Sequence, residues 1–218
     1  MVEPMKNLML YSGAEWVMWL LVGLSAVSLS IVLERWLVFR RHRGDVTALR
    51  RALAGDLDHG RLDAARRQLE RSAHPAAKVV LRGMDRAAAA ATTEQIERAM
   101  EAELLAQRAR LERRLGFLGT LGNNAPFIGL FGTVIGIVGA FEQLGQANAG
   151  AADGSSALVM AAIAEALVAT AVGIAVAIPA VFFFNHFLRE LKQVGAAAEL
   201  LSREWLAGRP ATTPRGAV

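Results

Sequence analysis

Three long stretches that almost lack formal charge constrain this 218-residue chain more than any other feature of its sequence. Residues 16–33 and 115–141 contain no Asp, Glu, Lys or Arg, and residues 157–188 contain a single carboxylate, Glu165. Because an α-helix rises about 1.5 Å per residue, each stretch is about long enough to cross a hydrocarbon core of roughly 30 Å. We therefore predict three membrane-spanning helices.

A cleavable signal peptide is the rival interpretation of the first stretch. A signal peptide carries its positive charge before the apolar region. Here only Lys6 precedes the stretch, whereas a group of arginines follows it. The charge order is therefore the reverse of a signal peptide, which predicts a helix that is retained in the mature protein.

Basic residues between the stretches predict the orientation of the chain. Residues 40–114 hold 17 of the 24 Lys and Arg residues, whereas residues 142–156 hold none. Short loops rich in Lys and Arg stay in the cytoplasm. We therefore expect the long first loop and the C-terminus inside, and the N-terminus and the second loop in the periplasm.

Composition excludes several classes of site. The chain has no cysteine, and its four histidines are scattered without ligand spacing, so we expect neither a metal nor a cofactor. The net charge is only +4, and acids and bases interleave along the loop with few aromatic residues. That pattern is typical of solvated helix faces, so we do not expect nucleic-acid binding.

The predicted fold class is an all-α membrane protein with three transmembrane helices, two of them extended into the cytoplasm, and a helical cytoplasmic loop domain. The predicted segments are a short periplasmic N-terminus at 1–13, transmembrane helix 1 at 14–39, a cytoplasmic helical loop at 40–114, transmembrane helix 2 at 115–141, a periplasmic loop at 142–156, transmembrane helix 3 at 157–188, a cytoplasmic helical extension at 189–207 and a disordered tail at 208–218.

The loop itself reads as helical. Thr92 and Gln95 have the spacing of a capping box, which marks a helix start. A partial apolar stripe follows and runs into the second span, so we predict that this helix continues unbroken from the cytoplasm. The stripe consists of Ile96, Met100, Leu104, Leu111, Leu115 and Leu118. It could bind a partner, but internal packing of a helical subdomain is the preferred interpretation.

Small residues and one proline are concentrated in the second span. Pro126, Gly129, Gly132, Gly136 and Gly139 lie within 14 residues, and the two central glycines form a GxxxG pair. Such spacing lets helix backbones approach closely in lipid, so we predict helix packing sites here. The glycines do not form a phosphate-binding loop, because no Lys follows them at the required spacing.

Glu165 is the residue most indicative of function. It lies eight residues inside the third stretch, about 12 Å from its start, where a carboxylate is costly unless it is paired, protonated or hydrated. The alternative is that residues 166–188 alone span the membrane and Glu165 stays at the interface. Thr170 lies five residues on, about 140° round the helix. Thr133 matters only if it faces a polar path, since a threonine in such a helix commonly bonds its own backbone.

Two segments resemble the motifs of a known family. LGNNAPFIGLFGTVIGI at residues 121–137 and AIAEALVATAVGIAVAIPA at residues 162–180 are similar to the second-helix and third-helix motifs of the MotA/TolQ/ExbB proton-channel family. With the three-helix topology, the resemblance covers almost the whole chain. It is closest to ExbB and TolQ, because a MotA protein has four spans.

The resemblance implies a stator subunit of a motor driven by the proton-motive force in the bacterial inner membrane, and not an enzyme. Such subunits form a homo-oligomer, a pentamer, around the single transmembrane helices of an ExbD/TolR-type dimer. Residues matching Glu165, Thr133 and Thr170 line the ion pathway, with protons as the coupling ion. Force passes to the envelope, in some systems through a TonB/TolA-like energy transducer.

Alternatives remain open at this level. TonB-dependent import, Tol-Pal envelope maintenance and surface motility are not separated by these residues, and sodium could replace protons. A non-conducting membrane scaffold that organises a single-span partner is the main alternative function. A small secondary transporter is a third, but it would need inverted repeats, which the sequence lacks.

Overall fold

The computed structural model describes residues 15–42, 44–147 and 155–209, and within these ranges it contains helices and no strand. The predicted all-α membrane class is confirmed. The helices are α1 (Glu15–His42), α2 (Val46–Asp58), α3 (Leu62–Arg71), α4 (Pro75–Ala88), α5 (Thr93–Glu112), α6 (Leu115–Ala147) and α7 (Ser155–Gly208).

Polar side chains cap the first turns of three helices between α1 and α6. The Asp45 carboxylate accepts hydrogen bonds from two backbone N–H groups in the first turn of α2. His74 caps α4, which begins with Pro75. At α5 the predicted capping box is present in full, because Thr92 accepts from the N–H of Gln95 and the Gln95 side chain accepts from the N–H of Thr92. These caps satisfy donors that lack a partner inside the helix.

The predicted continuous helix from the cytoplasm into the second span is wrong. Arg113 ends α5, and Arg114 has a φ of +68°, in the left-handed region that a right-handed helix cannot include. α6 then starts at Leu115. The apolar stripe nevertheless has buried members on both sides of the break, at Leu111 and Leu115. The spacing of the apolar residues therefore predicted correctly that Leu111 and Leu115 are buried, but it did not predict the helix break between them.

α7 shows the opposite behaviour and is continuous over 54 residues. It passes through Pro179 without a break in the helix. The residues predicted as a cytoplasmic extension, 189–207, are the direct continuation of the apolar helix. The helical extension predicted after the third span is therefore present, whereas the one before the second span is a separate helix.

α1, α6 and α7 are long and apolar enough to cross a membrane. Parts of these three helices form the first of two compact units, made of the described residues up to Leu33 together with Arg114–Asn185. Its core is built from small and medium apolar side chains, Val17, Leu21, Leu121, Ala125, Ala177 and Ala180. Large apolar side chains such as Trp19, Phe127 and Ile178 point outward, as expected for helices that face lipid or another chain.

The second unit comprises Glu34–Arg113 and the described residues from His186 onward. α2 to α5 and the end of α7 bury one apolar cluster, which includes Leu53, Leu69, Ile96, Leu201 and Trp205. Ile96 and Met100 of the predicted stripe lie in this core. Internal packing, the preferred interpretation of the stripe, is thus what the structure shows for its first half.

Several predicted segments lie outside the described residues. These are the N-terminal segment 1–13, residues 148–154 of the predicted loop 142–156, and the tail from residue 210 onward. The described part of the chain places the end of α6 at Ala147 and the start of α7 at Ser155. α6 therefore extends six residues past the predicted span end at residue 141, and α7 begins two residues before Ala157.

Candidate functional site

The candidate site is built on a close contact between α6 and α7, and glycines make that contact. A Cβ atom added at Gly129 would lie 2.6 Å from the backbone oxygen of Ala169 and 3.0 Å from Cα of Thr170. A Cβ added at Gly173 would lie 2.6 Å from the backbone oxygen of Ala125. Only glycine fits at both positions, so the two backbones touch directly.

The other small residues of α6 behave differently from one another. Gly132 contacts both neighbouring helices, because an added Cβ would lie 3.0 Å from Val17 of α1 and 3.1 Å from the Ala169 side chain of α7. A Cβ added at Gly139 would meet no atom within 4 Å among the described residues, apart from the nearby backbone of its own helix. Pro126 and Gly136 are half-buried. The backbones of α6 and α7 thus come into direct contact at Gly129, opposite Gly173, whereas Gly132 of the GxxxG pair contacts side chains.

Thr133 is buried one turn beyond Gly129, and its hydroxyl faces three acceptors. Oγ1 lies 3.2 Å from the backbone oxygen of Gly129, four residues earlier in α6. It also lies 3.2 Å from the backbone oxygen of Ala166 in α7, and within hydrogen-bond reach of Thr170 Oγ1. The bond to its own helix is the one expected of any membrane threonine. The two contacts to α7 are additional.

The structure therefore brings together two of the three predicted ion-pathway residues. Thr170 is half-buried and pairs with Thr133 across the helix contact. Glu165 does not join them within this chain, because its side chain is exposed. Among the residues that the structure describes, the Glu165 carboxylate makes no hydrogen bond or ion pair.

Glu165 lies at the margin of the packed face of α7. Ala166, the next residue, is buried, and so is Ala169, which is one turn further on. On the preceding turn Ala161 and Ala164 are exposed, and both side chains are small. Another helix can therefore approach the carboxylate without meeting a bulky neighbour on that turn.

This arrangement can do two things chemically. The Thr133 and Thr170 hydroxyls form a polar connection across an otherwise apolar helix contact, and a hydroxyl can both donate and accept a proton in a hydrogen bond. Glu165, between the start of α7 and this pair, supplies a group that can bind and release a proton. A carboxylate at membrane depth needs a partner or water, and it has no protein partner within the described chain.

Thr133, Glu165 and Thr170 were all identified from the sequence. The sequence did not predict that the two threonines pair with each other while Glu165 stays apart from them. Gly173, which lies within the third-helix motif at residues 162–180, proves to be the counterpart of Gly129. A signal for this was present in the sequence. Gly173 lies three residues from Thr170, and Gly129 four from Thr133, so each glycine shares a helix face with its threonine.

The fold and the site together define a polytopic α-helical membrane protein with hydroxyl and carboxyl groups among close-packed small residues. Comparison with known proteins specifies the class further. The model of the MotA/TolQ/ExbB proton channel family matches residues 71–199, which is more than half of the chain. The chain belongs to the MotA/TolQ/ExbB proton channel family.

Individual relatives agree with that assignment. A Tol-Pal system protein TolQ from Pseudomonas aeruginosa is 42% identical over 97 residues, which are 44% of this chain and 40% of the relative. A biopolymer transport protein ExbB from Xanthomonas campestris is 40% identical over 95 residues, 44% of this chain and 36% of the relative. An ExbB from Pseudomonas putida is 29% identical over 198 residues, 86% of this chain and 53% of the relative. The chain thus aligns with about half or less of the length of each relative.

Proposed function

We propose that this chain is an ExbB/TolQ-like stator subunit of a motor driven by the proton-motive force. In this proposal it conducts protons together with an ExbD/TolR-type partner and transmits force to the cell envelope. The observation that carries the proposal is the position and environment of Glu165. It is the one carboxylate within the third apolar stretch, it is exposed, and it has no partner among the described residues.

A partner from outside the chain can offset the desolvation cost of the exposed Glu165 carboxylate. In lipid, an unpaired carboxylate loses its hydration without compensation. A single-span partner helix next to Glu165 can supply a polar or titratable group, and water can follow along the contact. The small side chains of Ala161 and Ala164 leave room for such an approach. In this proposal the chain supplies the carboxylate of the site, and a partner helix supplies the group that interacts with it.

The mechanism follows from the charge of Glu165. A proton that arrives from the periplasmic side neutralises either Glu165 or a carboxylate of the partner. Loss of that charge removes its desolvation cost, so the partner helix can move past this subunit. Release of the proton to the cytoplasm restores the charge. In a ring of copies around a partner dimer, successive Glu165 residues act in turn, and proton flow becomes relative rotation.

Thr133 and Thr170 have the second role in this mechanism. Their hydroxyls hold a hydrogen-bonded connection between α6 and α7 near the level of Glu165. Hydroxyls can reorient, so they accept a proton on one side and donate one on the other. We assign them to the wall of the ion pathway, with protons as the coupling ion and no bound cofactor.

The assembly and location belong to the same proposal. Membership of the family and three apolar helices support a bacterial inner-membrane protein. We propose a pentamer around an ExbD/TolR-type dimer, with the N-terminus in the periplasm and the C-terminus in the cytoplasm. The driven process is TonB-dependent import, Tol-Pal maintenance or surface motility, and a TonB/TolA-like transducer is the expected further partner where one exists.

The experiment that tests the proposal replaces Glu165→Gln in cells that also express the native partner. Glutamine keeps the shape and polarity of the side chain but cannot titrate, so we expect envelope work to be lost while the complex still assembles. Glu142→Gln, which removes a carboxylate near the end of α6, is the matched control and should retain the work. Full envelope function in Glu165→Gln cells would overturn the proposal.

The same pair of variants separates the motor from a non-conducting scaffold. In the scaffold alternative Glu165 only binds the partner helix, so Glu165→Gln reduces copurification of the partner. In the motor, the partner still copurifies and only the coupled work is lost. Copurification measured alongside envelope work therefore decides between the two functions.

A further inference from the structure

A cavity of about 350 Å³ lies within the second unit, where the last turns of α1 meet α7. Its lining residues are Trp36, Phe39, Arg40, His186 and Phe187. It is separate from Thr133, Thr170 and Glu165, all of which belong to the first unit. The ion-pathway proposal therefore makes no use of this cavity.

Stacked aromatic rings form rigid walls for the cavity. Phe39 and Phe187 are buried, and their rings stack with centroids 5.3 Å apart and an angle of 11° between the planes. Trp36 stacks more loosely on His186, with centroids 6.2 Å apart at 28°. Such pairs limit the side-chain motion on both helices, so the cavity is preformed rather than a gap between mobile side chains.

The depth of the cavity along α1 corresponds to the lipid headgroups. The uncharged run of α1 ends at residue 33 and is about 27 Å long, close to the thickness of the hydrocarbon core. Trp36 and Arg40 follow it by three and seven residues, which is about 4 to 10 Å along the helix axis. The headgroup region adds about 5 to 7.5 Å on each side of the core, so Trp36 lies within it. Arg40 lies just beyond its outer edge, from which a long arginine side chain can reach back to a headgroup.

Charge around the cavity favours an anion. Arg40 is exposed and, among the described residues, has neither an ion pair nor a hydrogen bond. No carboxylate is among the described residues that line the cavity. Glu190 lies 4.0 Å from Nε2 of the lining residue His186 and has a further interaction of its own. An unpaired guanidinium thus faces a site with aromatic walls.

An apolar surface leads away from the cavity on the same face of α1. Leu37 and Trp36 are 55% and 44% exposed, and both lie within one turn of Arg40. A phosphodiester fits a guanidinium through two parallel hydrogen bonds, and an indole ring is well suited to the headgroup level. Acyl chains fit the apolar surface. A phospholipid combines a phosphodiester and acyl chains in one molecule, whereas free phosphate has no apolar part that could pack against this surface.

We propose that this cavity binds an anionic membrane phospholipid, with the phosphodiester held by Arg40 and the acyl chains along Trp36 and Leu37. A basic pocket between membrane helices at the headgroup level is a recognised form of lipid site. The lipid holds α1 against α7 just beyond the hydrocarbon core and completes a cavity that the protein leaves partly open.

The test uses the full chain in nanodiscs of phosphatidylcholine that contain a minor fraction of phosphatidylglycerol. Native mass spectrometry counts the phosphatidylglycerol molecules that each protein retains. Arg40→Gln should lower the affinity for phosphatidylglycerol about tenfold or more, because a charged hydrogen-bonded pair is lost. Arg41→Gln is the matched control. It makes the same change at the next residue, which is exposed and does not line the cavity, and should change the affinity less than about twofold.

Equal losses in Arg40→Gln and Arg41→Gln would show general attraction to basic residues and overturn the proposal, as would unchanged binding in both. Added inorganic phosphate should not displace the lipid, and displacement at millimolar concentration would assign the cavity to free phosphate instead.

A measurement on chains with Arg40 intact covers the case in which Arg40→Gln fails to fold. Brominated phosphatidylglycerol should quench Trp36 fluorescence, taken as the difference between the native chain and Trp36→Leu, more than brominated phosphatidylcholine does. Equal quenching by the two lipids would contradict the proposal.

Discussion

Thr133 has one hydroxyl proton, yet three acceptors surround its Oγ1 atom. They are the backbone oxygens of Gly129 and Ala166 and the hydroxyl of Thr170. At any moment Thr133 donates to only one of them, and it accepts from Thr170 when that hydroxyl points toward it. The group can therefore switch between its own helix and α7 without moving its backbone.

Removal of this hydroxyl should weaken conduction. We expect Thr133→Ala to lower proton flux about fivefold, the effect of losing a hydrogen bond worth about 1 kcal/mol. Thr133→Ser keeps the hydroxyl and should conserve most of the flux. The measurement is proton uptake by liposomes that contain the chain with its partner. If the alanine and serine variants conduct equally, the hydroxyl has no part in the pathway.

His74, in the second unit, is a buried residue whose protonation affects folding stability. It is buried, and its Nδ1 accepts a hydrogen bond of 3.1 Å from the N–H of Ala76 at the start of α4. Burial lowers the pKa of His74, and the nearby His42 lowers it further. An unfolded histidine titrates near pH 6.5. Below that pH the unfolded chain binds a proton that the folded chain does not, so folding stability falls as the pH decreases toward the folded-state pKa.

This sign gives a pH prediction. Thermal stability of the protein in detergent should decrease as the pH is lowered below about 6.5, and His74→Asn should reduce that decrease. Asparagine is a good helix cap that does not titrate, so the start of α4 is preserved. His59→Asn, at an exposed position of the same unit, is the control. An unchanged pH dependence in His74→Asn would show that His74 is not the group responsible.

Much of the site at this scale could be predicted from the sequence, and the remainder depends on packing. A lone carboxylate in an apolar run is visible in any sequence, so Glu165 was identified. Its exposure within the single chain was not predictable, because the periodicity of α7 does not show which face another chain covers. The pairing of Thr133 with Thr170 likewise depends on the rotation of two helices about their axes.

The contact between α6 and α7 sets the geometry at the scale of the elements. Gly129 and Gly173 face each other with their backbones in contact, and Thr133 and Thr170 follow on the same faces. The distance between the two hydroxyls is therefore controlled by glycines one turn away. Two matched substitutions on one helix test that relation.

Gly129→Ala should destabilise the protein and weaken conduction. The added Cβ would meet the backbone oxygen of Ala169 at 2.6 Å, and overpacking of this kind costs about 1–3 kcal/mol. Gly139→Ala introduces the same methyl group into open space on the same helix and should be neutral or slightly stabilising. Thermal unfolding of the two variants is the measurement. Equal melting temperatures would contradict the close contact.

The break between α5 and α6 is the second structural feature at this scale. Arg35 of α1 is buried, and its Nη1 donates to the backbone oxygens of Arg110 and Leu111 at 3.4 and 3.3 Å. Those carbonyls belong to the last turn of α5, where partners within the helix run out. Glu34 accepts from the same guanidinium at 2.7 Å. The side chain of Arg35, which belongs to α1, thus caps the C-terminal end of α5.

Loss of this cap should loosen the end of α5. We expect Arg35→Met to destabilise the second unit by about 1–3 kcal/mol, since hydrogen bonds from a charged donor to carbonyls in the last turn of α5 are lost. Hydrogen exchange should become faster in the last turn of α5. Arg41→Met, at an exposed position of the same helix, should leave exchange there unchanged. Equal exchange rates in both variants would exclude the capping role.

This break also shows where prediction from sequence fails at the level of elements. The capping box at Thr92 and Gln95 is a local pattern, and it was predicted correctly. The left-handed conformation of Arg114 has no local signal, because arginine rarely adopts it. The apolar stripe passes on both sides of it, so the pattern looks like one helix. Long-range capping by Arg35 is invisible to residue spacing.

At the scale of the whole molecule, the chain divides its apolar and charged residues between two compact units. One buries small side chains around the Gly129–Gly173 contact and exposes large apolar ones, while the other buries a conventional apolar core among charged helix faces. The sequence predicted this division from the positions of charge alone. In the proposed motor, the residues assigned to the proton pathway all lie in the first unit.

Proton flux through reconstituted complexes tests the central claim most directly. Liposomes containing this chain and the proposed ExbD/TolR-type partner receive a membrane potential, and a pH-sensitive dye reports proton entry. We predict flux with the native chain, flux near the background of empty liposomes for Glu165→Gln, and unchanged flux for Glu142→Gln. Native-level flux in the Glu165→Gln complex would contradict the account.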